Sequence, residues 1–162
     1  MLRPAILFGG HGVLLNNIAC LLRHLPVFAV GAHGKYRIRG SHVDDLAHLR
    51  VTASRTEGSQ VLDAVGPERP TFLELVEQIR AEIGSSCRIV HVPGRLVPPP
   101  SVVLGLALRD RLLITQEYQA MANGLADTDC PPTGTTALSH WLTEHADHLG
   151  LHYANEIKRH FR

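Results

Sequence analysis

The sequence predicts an α/β fold with a small, mostly parallel set of strands and helices packed on them. Short apolar runs that end at glycine or proline alternate with amphipathic stretches, which is the pattern of strands alternating with helices. One helix start, at Thr71, carries a complete capping signature. A chain of 162 residues, 44% of them hydrophobic and 19% charged, is long enough to bury one core.

The first elements follow from apolar runs near the N-terminus. We predict one short buried strand over residues 3–10, an amphipathic helix over 13–25 that Pro26 ends, and a strand over 27–30. A glycine-rich turn follows, and residues 35–39 are predicted to be extended.

The middle of the chain has the clearest helix boundaries. Asp44 or Asp45 is predicted to cap a helix over 46–54, which we prefer to a role as an acid–base pair because adjacent side chains diverge. After a strand over 61–65, Thr71 and Glu74 form a capping box, and the helix behind it runs to residue 83. Gly84 is the expected end.

Proline marks most of the later boundaries. A strand over 89–92 ends at a proline, and three prolines at 98–100 precede predicted helices over 102–108 and 115–125. A loop that contains Pro131, Pro132 and Gly134 leads into a last helix over about 137–149.

Composition argues against several classes of protein. The net charge is +1 with dispersed basic residues, and aromatic residues make up 5%, so we expect no nucleic-acid partner. Three distant cysteines indicate neither a disulfide framework nor a zinc knuckle. The apolar run over 13–22 is too short to span a bilayer and lacks the features of a signal peptide. We therefore predict a cytoplasmic protein without a membrane span.

Familiar catalytic motifs are missing from the sequence. The glycine-rich segment 8–12 lacks the GxGxxG spacing, Gly34-Lys35 is followed by Tyr36 rather than by serine or threonine, and GxSxG does not occur. Among eleven histidines, His145 and His148 have helical ligand spacing. His145 lies on the leucine stripe of its helix and no HExxH is present, so we expect no metal site.

Five segments, taken in order, resemble one family. They are residues 3–9 (Arg-Pro-Ala-Ile-Leu-Phe-Gly), 41–47 (Ser-His-Val-Asp-Asp-Leu-Ala), 65–75 (with Gly-Pro-Glu and Thr-Phe-Leu-Glu-Leu), 89–93 (Ile-Val-His-Val-Pro) and 132–134 (Pro-Thr-Gly). The family is the extended and atypical short-chain dehydrogenases of the NAD-dependent epimerase/dehydratase type, in the branch that resembles an accessory subunit of respiratory complex I.

The resemblance implies a particular part of that fold: the last strand of a Rossmann-type sheet plus the small C-terminal substrate domain, with residues 1–162 as one substrate-side region. The family's Gly-rich fingerprint and Tyr-x-x-x-Lys pair are not in this sequence, where Tyr153 and Lys158 are five apart. The implied function is the substrate-binding portion of an NAD(P)-dependent nucleoside-diphosphate-sugar epimerase/dehydratase-like protein, without catalytic residues. NAD or NADP belongs to a full-length relative, and no cofactor is expected for this chain alone.

The resemblance also implies site residues. The strand that borders the nicotinamide in the family corresponds here to Pro4, Ala5, Ile6 and Leu7. Contacts to a nucleotide-sugar are expected from Asn16, Lys35, Arg37, Arg39 and His42. A guanidinium pairs well with a diphosphate, although ordinary solvated side chains explain these residues equally well.

Two points are left open by the sequence. Where the family often has Phe-Gly-Pro-x-Asp, residues 8–12 read Phe-Gly-Gly-His-Gly, so the aspartate that the resemblance would place as a helix cap in the substrate loop is replaced by Gly12. The alternative function is a stand-alone interaction module derived from the family. An N-terminal strand without its sheet is an exposed edge that could pair with a second copy.

Overall fold

A computed structural model of the chain describes residues 1–10, 12–56, 58–93 and 124–154. The strands are β1 Leu2–Pro4, β2 Ile6–Phe8, β3 Val27–Gly31, β4 Gly40–His42, β5 Leu62–Ala64 and β6 Arg88–Val92. The helices are α1 Val13–His24, α2 Val43–Ser54, α3 Phe72–Glu82 and α4 Leu138–His145, and a 3₁₀ turn spans Ala32–Gly34. The predicted α/β class is confirmed. The helix predicted over 102–108 and nearly all of that over 115–125 lie outside the described residues.

All strand pairs in the described part of the chain are parallel. β1 pairs with β5, β2 with β4 and β3 with β6, each as a two-stranded sheet. Parallel strands need a crossover connection, and the one between β2 and β4 contains α1 and β3, whereas the one between β3 and β6 contains α2 and α3. The predicted small parallel strand set is therefore observed.

The prediction of one buried strand over residues 3–10 is wrong. A bend at Ala5 divides the segment into β1 and β2, which pair with different strands. Of these two strands, only Phe8 is fully buried, at 1% exposure. Within the described residues β1 and β2 each have one neighbouring strand, so their other edges and much of their side-chain surface face outward.

The segment before α2 also differs from its prediction. Residues 35–39 form no strand, apart from one bridge between Arg37 and Thr71, and β4 follows them at residues for which no strand was predicted. The helix begins at Val43, and its cap is His42, whose Nδ1 accepts a hydrogen bond from the Asp44 N–H at 3.2 Å. Neither Asp44 nor Asp45 is the cap, because both lie inside the first helical turn.

The capping box of α3 is confirmed. The Glu74 N–H donates to Thr71 Oγ1 at 3.2 Å, and the Thr71 N–H donates to Glu74 Oε2 at 2.7 Å. At the other end, Gly84 has φ +64° and donates its N–H to the Ala81 carbonyl at 3.1 Å. This left-handed residue ends the helix in the way that glycine favours.

One core joins three of the helices to the sheets. Helix α3 packs on both α1 and α4, while α1 packs on β3 and α4 on β4. The largest fully buried side chains of this core are Phe8, Leu22, Ile38, Leu75, Ile79 and Leu142. Helix α4 ends at His145, earlier than predicted, and a turn carries the chain to Gly150. Among the described helices, none has the length and apolar character that a bilayer crossing requires.

Candidate functional site

The C-terminal ends of β2 and β4 meet at a tight contact. Phe8 and His42 are register partners, and their rings meet edge to face with centroids 5.3 Å apart. Gly9 follows with φ +101°, and a Cβ at this position would lie 2.3 Å from His42 Nε2. Both the backbone angle and the lack of space therefore require glycine. The imidazole of His42 covers the start of the turn that leads from β2 to α1.

That turn is built largely from glycine backbone. Gly10 has φ +53°, and the Gly12 N–H donates to the Gly9 carbonyl at 3.0 Å. Gly12 is the N-cap of α1, and no side chain accepts a hydrogen bond from the first helical turn. Among the described residues, the N–H groups at the start of α1 therefore have no side-chain cap.

A cleft of about 530 Å³ opens beside this turn. It is lined by Gly10, Gly12, Asn16, Trp141, His145, His148, Leu149 and Ala154. The His145 ring stacks on Trp141 with centroids 4.5 Å apart, and its Nδ1 lies 2.9 Å from the Trp141 carbonyl oxygen. Because a carbonyl only accepts, Nδ1 carries the proton of the neutral ring and Nε2 is the acceptor.

Two adjacent asparagines on α1 bind the chain that follows α4. Asn16, in the cleft, donates from Nδ2 to the His152 carbonyl at 2.8 Å and accepts the Gly150 N–H at 3.0 Å. Asn17 accepts the Ala154 N–H at 2.9 Å and donates to its carbonyl at 3.0 Å. The Asn16 amide, a predicted substrate contact, therefore holds one wall of the cleft.

Arg39 is a buried charge, and within the described residues all of its hydrogen bonds are to backbone groups. At 6% exposure, its guanidinium donates to the carbonyls of Gly66 at 3.2 Å and Thr128 at 3.0 Å, and also to that of Cys130. The backbone N–H of Arg39 donates to the Ala126 carbonyl at 2.9 Å. The sequence did not indicate this role, because the segments it joins are distant along the chain.

Asp45, in the first turn of α2, binds the loop that leads into α4. Its Oδ2 accepts the N–H groups of Thr135 at 3.1 Å and Thr136 at 2.9 Å. Burial acts to raise the pKa of this carboxyl, but the hydrogen bonds from Thr136 and Thr135 together outweigh it and hold the pKa below its usual range. A Cβ on Gly134 would lie 2.6 Å from the same oxygen, so the loop packs directly on the carboxylate.

The remaining predicted substrate residues, Lys35 and Arg37, are not among those that line the cleft. Lys35 is exposed, and exposed Arg37 donates from Nη1 to the Arg69 carbonyl at 2.9 Å. Arg69 itself pairs with Asp127 and Asp129, and these two carboxylates raise its pKa. No sequence signal predicted this ionic cluster, whose members are almost 60 residues apart.

The structure thus separates the predicted site residues into groups. Asn16 and His42 lie beside the glycine turn, whereas Lys35, Arg37 and Arg39 do not line the cleft. In the strand expected to border a nicotinamide, Ile6 is half-buried and the residues Pro4, Ala5 and Leu7 are exposed. Within the described ranges, no group of three or more His, Cys, Asp or Glu side chains is placed to hold a metal ion.

The fold is shared with nucleotide-sugar epimerases of known structure. The chain is similar to UDP-glucuronic acid 4-epimerase from Bacillus cereus in complex with NAD, with a TM-score of 0.56 and 13% identity over 92% of this chain and 44% of that one. For the complex of the same enzyme with UDP-glucuronic acid and NAD, the TM-score is 0.51 and the identity 15%, over 89% and 42%. No protein-family model and no curated protein matches the sequence. The likeness establishes the fold, and the chain spans less than half the length of these enzymes.

Proposed function

We propose that this chain is the substrate-side portion of an NAD(P)-dependent nucleoside-diphosphate-sugar epimerase/dehydratase-like protein and does not catalyse the reaction alone. The observation that carries the proposal is the contact between the β2–α1 turn and the end of β4, where Gly9 lies under His42. These are two of the segments on which the family resemblance rests. The match of 92% of the chain to 44% of an epimerase supports the same assignment.

The cleft beside the turn is the place where we expect the sugar nucleotide to bind. Its volume of about 530 Å³ lies within the range of small-molecule sites, roughly 300–1,000 Å³. It combines an apolar wall, formed by Trp141 and Leu149, with an acceptor at His145 Nε2 that suits a sugar hydroxyl. In this proposal Asn16 lines the cleft directly, whereas His42 holds the glycine turn whose Gly10 and Gly12 line it.

The basic residues take two different roles in this proposal. Lys35 and Arg37 are exposed and are the groups we assign to a diphosphate, since a guanidinium can bind two phosphate oxygens at once. Arg39 is instead assigned to the shape of the site, because its buried guanidinium already serves three carbonyls of the 66 and 128–130 loops. Removing it would leave those carbonyls without a donor.

The cofactor belongs to the other half of such a protein. The exposed residues of segment 4–7 are proposed to border the nicotinamide of NAD or NADP in a complete relative. The chain itself holds neither the Gly-rich fingerprint nor the Tyr-x-x-x-Lys pair, so we expect no dinucleotide binding by this chain alone.

Calorimetric titration with UDP-glucuronic acid, NADH and NADPH tests the proposal. We expect weak binding of the UDP-sugar, at least fivefold weaker in His145→Ala, and none of either dinucleotide. His140→Ala is the matched control, because His140 is an exposed histidine on the same helix that does not line the cleft. Micromolar binding of NADH would show that the chain builds its own cofactor site, and the proposal would then be wrong.

A second function is favoured by the outward-facing N-terminal strands. Within the described residues β1 and β2 each pair on one edge, and Leu7 and Met1 are 37% and 80% exposed. An unpaired strand edge with apolar side chains can pair with a second copy. Analytical ultracentrifugation decides between the two: a dimer that Leu7→Lys dissociates, without any UDP-sugar binding, supports a self-associating module.

A further inference from the structure

Two histidines meet at the ends of neighbouring parallel strands. β3 and β6 run parallel, so their C-terminal ends lie at the same edge of the sheet. The 3₁₀ turn after β3 carries His33, and β6 carries His91. Their rings have centroids 5.6 Å apart and planes inclined at 39°. The topology thus brings together two imidazoles that are 58 residues apart in the sequence.

The backbone of this turn is fixed in an uncommon conformation. His33 has φ 57° and ψ 10°, and no other non-glycine residue in the described ranges has a positive φ. Next to it, Gly34 is so closely packed that a Cβ would lie 2.7 Å from Val30 Cγ1 and 2.8 Å from Leu73 Cβ. A left-handed non-glycine residue is unfavourable and persists where the surrounding structure determines it. Interior packing around Gly34 therefore fixes the backbone turn that carries His33 beside His91.

Both rings are accessible. His33 and His91 are exposed, and in the part of the chain that the structure describes neither ring takes part in a hydrogen bond or an ion pair. An imidazole that binds a metal does so through the lone pair of a ring nitrogen. The ring nitrogens are thus available to a ligand that accepts two lone pairs.

We propose that His33 and His91 form a two-histidine site for a divalent transition-metal ion, with water in the remaining coordination positions. Imidazole is a preferred ligand of zinc, copper and nickel. With metal–nitrogen distances of about 2.0–2.1 Å and an angle of about 110–120° at the metal, two bound rings have their centres about 5–5.6 Å apart. The observed separation of 5.6 Å matches this range. The ion would link the turn after β3 to β6.

Zinc titration of the tag-free chain by calorimetry tests this site. We expect one strong site, weakened at least tenfold in both His33→Gly and His91→Thr. Glycine accepts the φ of position 33 without strain, and threonine suits a strand, so both variants should keep the fold. The histidine-ring nitrogen shifts of these two residues should move together on zinc addition in NMR spectra.

The control variants separate this site from the other histidines of the chain. His140→Ala should bind zinc as the parent chain does, because His140 lies on α4 beside Glu144. Unchanged affinity in His33→Gly and His91→Thr would overturn the proposal. So would loss of the strong site in the double variant His145→Ala/His148→Ala.

Discussion

The contact between Gly9 and His42 can be tested by a single methyl group. In Gly9→Ala the new Cβ would lie 2.3 Å from His42 Nε2 and 2.6 Å from its Cδ2, on a backbone with φ +101°. The imidazole cannot move away without cost, because its Nδ1 caps α2 and its ring packs on Phe8. Either the turn or the cap of α2 must therefore distort.

The expected loss of stability has two parts. Forcing a residue with a Cβ into left-handed backbone costs roughly 1–2 kcal/mol. Overpacking against a held side chain costs about 1–3 kcal/mol more. Gly10→Ala is the matched control, because its φ is +53° and a Cβ there meets nothing within 4 Å. We thus expect Gly9→Ala to lose about 2–5 kcal/mol of unfolding free energy, and Gly10→Ala about 1–2 kcal/mol.

Urea unfolding followed by circular dichroism measures both variants. A double-mutant cycle with His42→Ala isolates the steric part, since removal of the imidazole makes room for the methyl group. The coupling energy should be about 1–3 kcal/mol, with the double variant more stable than the sum of the single losses predicts. If Gly9→Ala and Gly10→Ala lose the same free energy and the cycle shows no coupling, the contact does not exist in solution.

Three further perturbations follow from the hydrogen bonds. Asp45→Asn keeps an acceptor for the N–H groups of Thr135 and Thr136 but removes a carboxylate whose pKa is lowered in the folded protein. In the parent, this carboxylate stabilises the fold above its unfolded pKa near 3.8, and the stabilisation is lost as the pH falls through the folded pKa. Below about pH 4, the unfolding free energy of the variant should therefore fall less with decreasing pH than that of the parent, as measured by fluorescence-monitored acid titration. Arg39→Met should lose about 2–4 kcal/mol in urea unfolding, because a buried guanidinium loses its hydrogen bonds to three carbonyls, of which that of Gly66 is buried; a loss under 1 kcal/mol would contradict that role. Thr71→Ala should cost about 1 kcal/mol by removing one half of a capping box, and Thr71→Ser should restore it.

The parts of the fold that the sequence predicted are those determined by local interactions. The capping box at Thr71 is complete within four residues, and the apolar periodicity of α1 lies within one helix. The division of the first strand at Ala5 depends instead on pairing with β5 and β4, which lie far along the chain. No local pattern indicates which strand a segment will pair with. The prediction of a single buried strand over residues 3–10 was therefore wrong.

The same distinction explains the results for the candidate site. His42 could be placed near the substrate loop only through the family resemblance, and its role as a helix cap was missed because Asp44 and Asp45 are the more common capping residues. Asn16 was predicted to bind substrate, but its amide bonds the chain 134–136 residues further on. Such a partner is specified by tertiary packing, which a single sequence does not display.

The glycine turn links the stability of the fold to the shape of the cleft. Without an aspartate at the start of α1, no side chain caps that helix, and His42 is the side chain that closes over the turn at Gly9. Because the next residues of the turn, Gly10 and Gly12, line the cleft, a displacement of His42 changes the cleft wall as well as the cap of α2. A variant that disturbs this contact should therefore lose ligand affinity as well as stability, whereas Gly84→Ala, at the C-terminal end of α3, should lose stability alone.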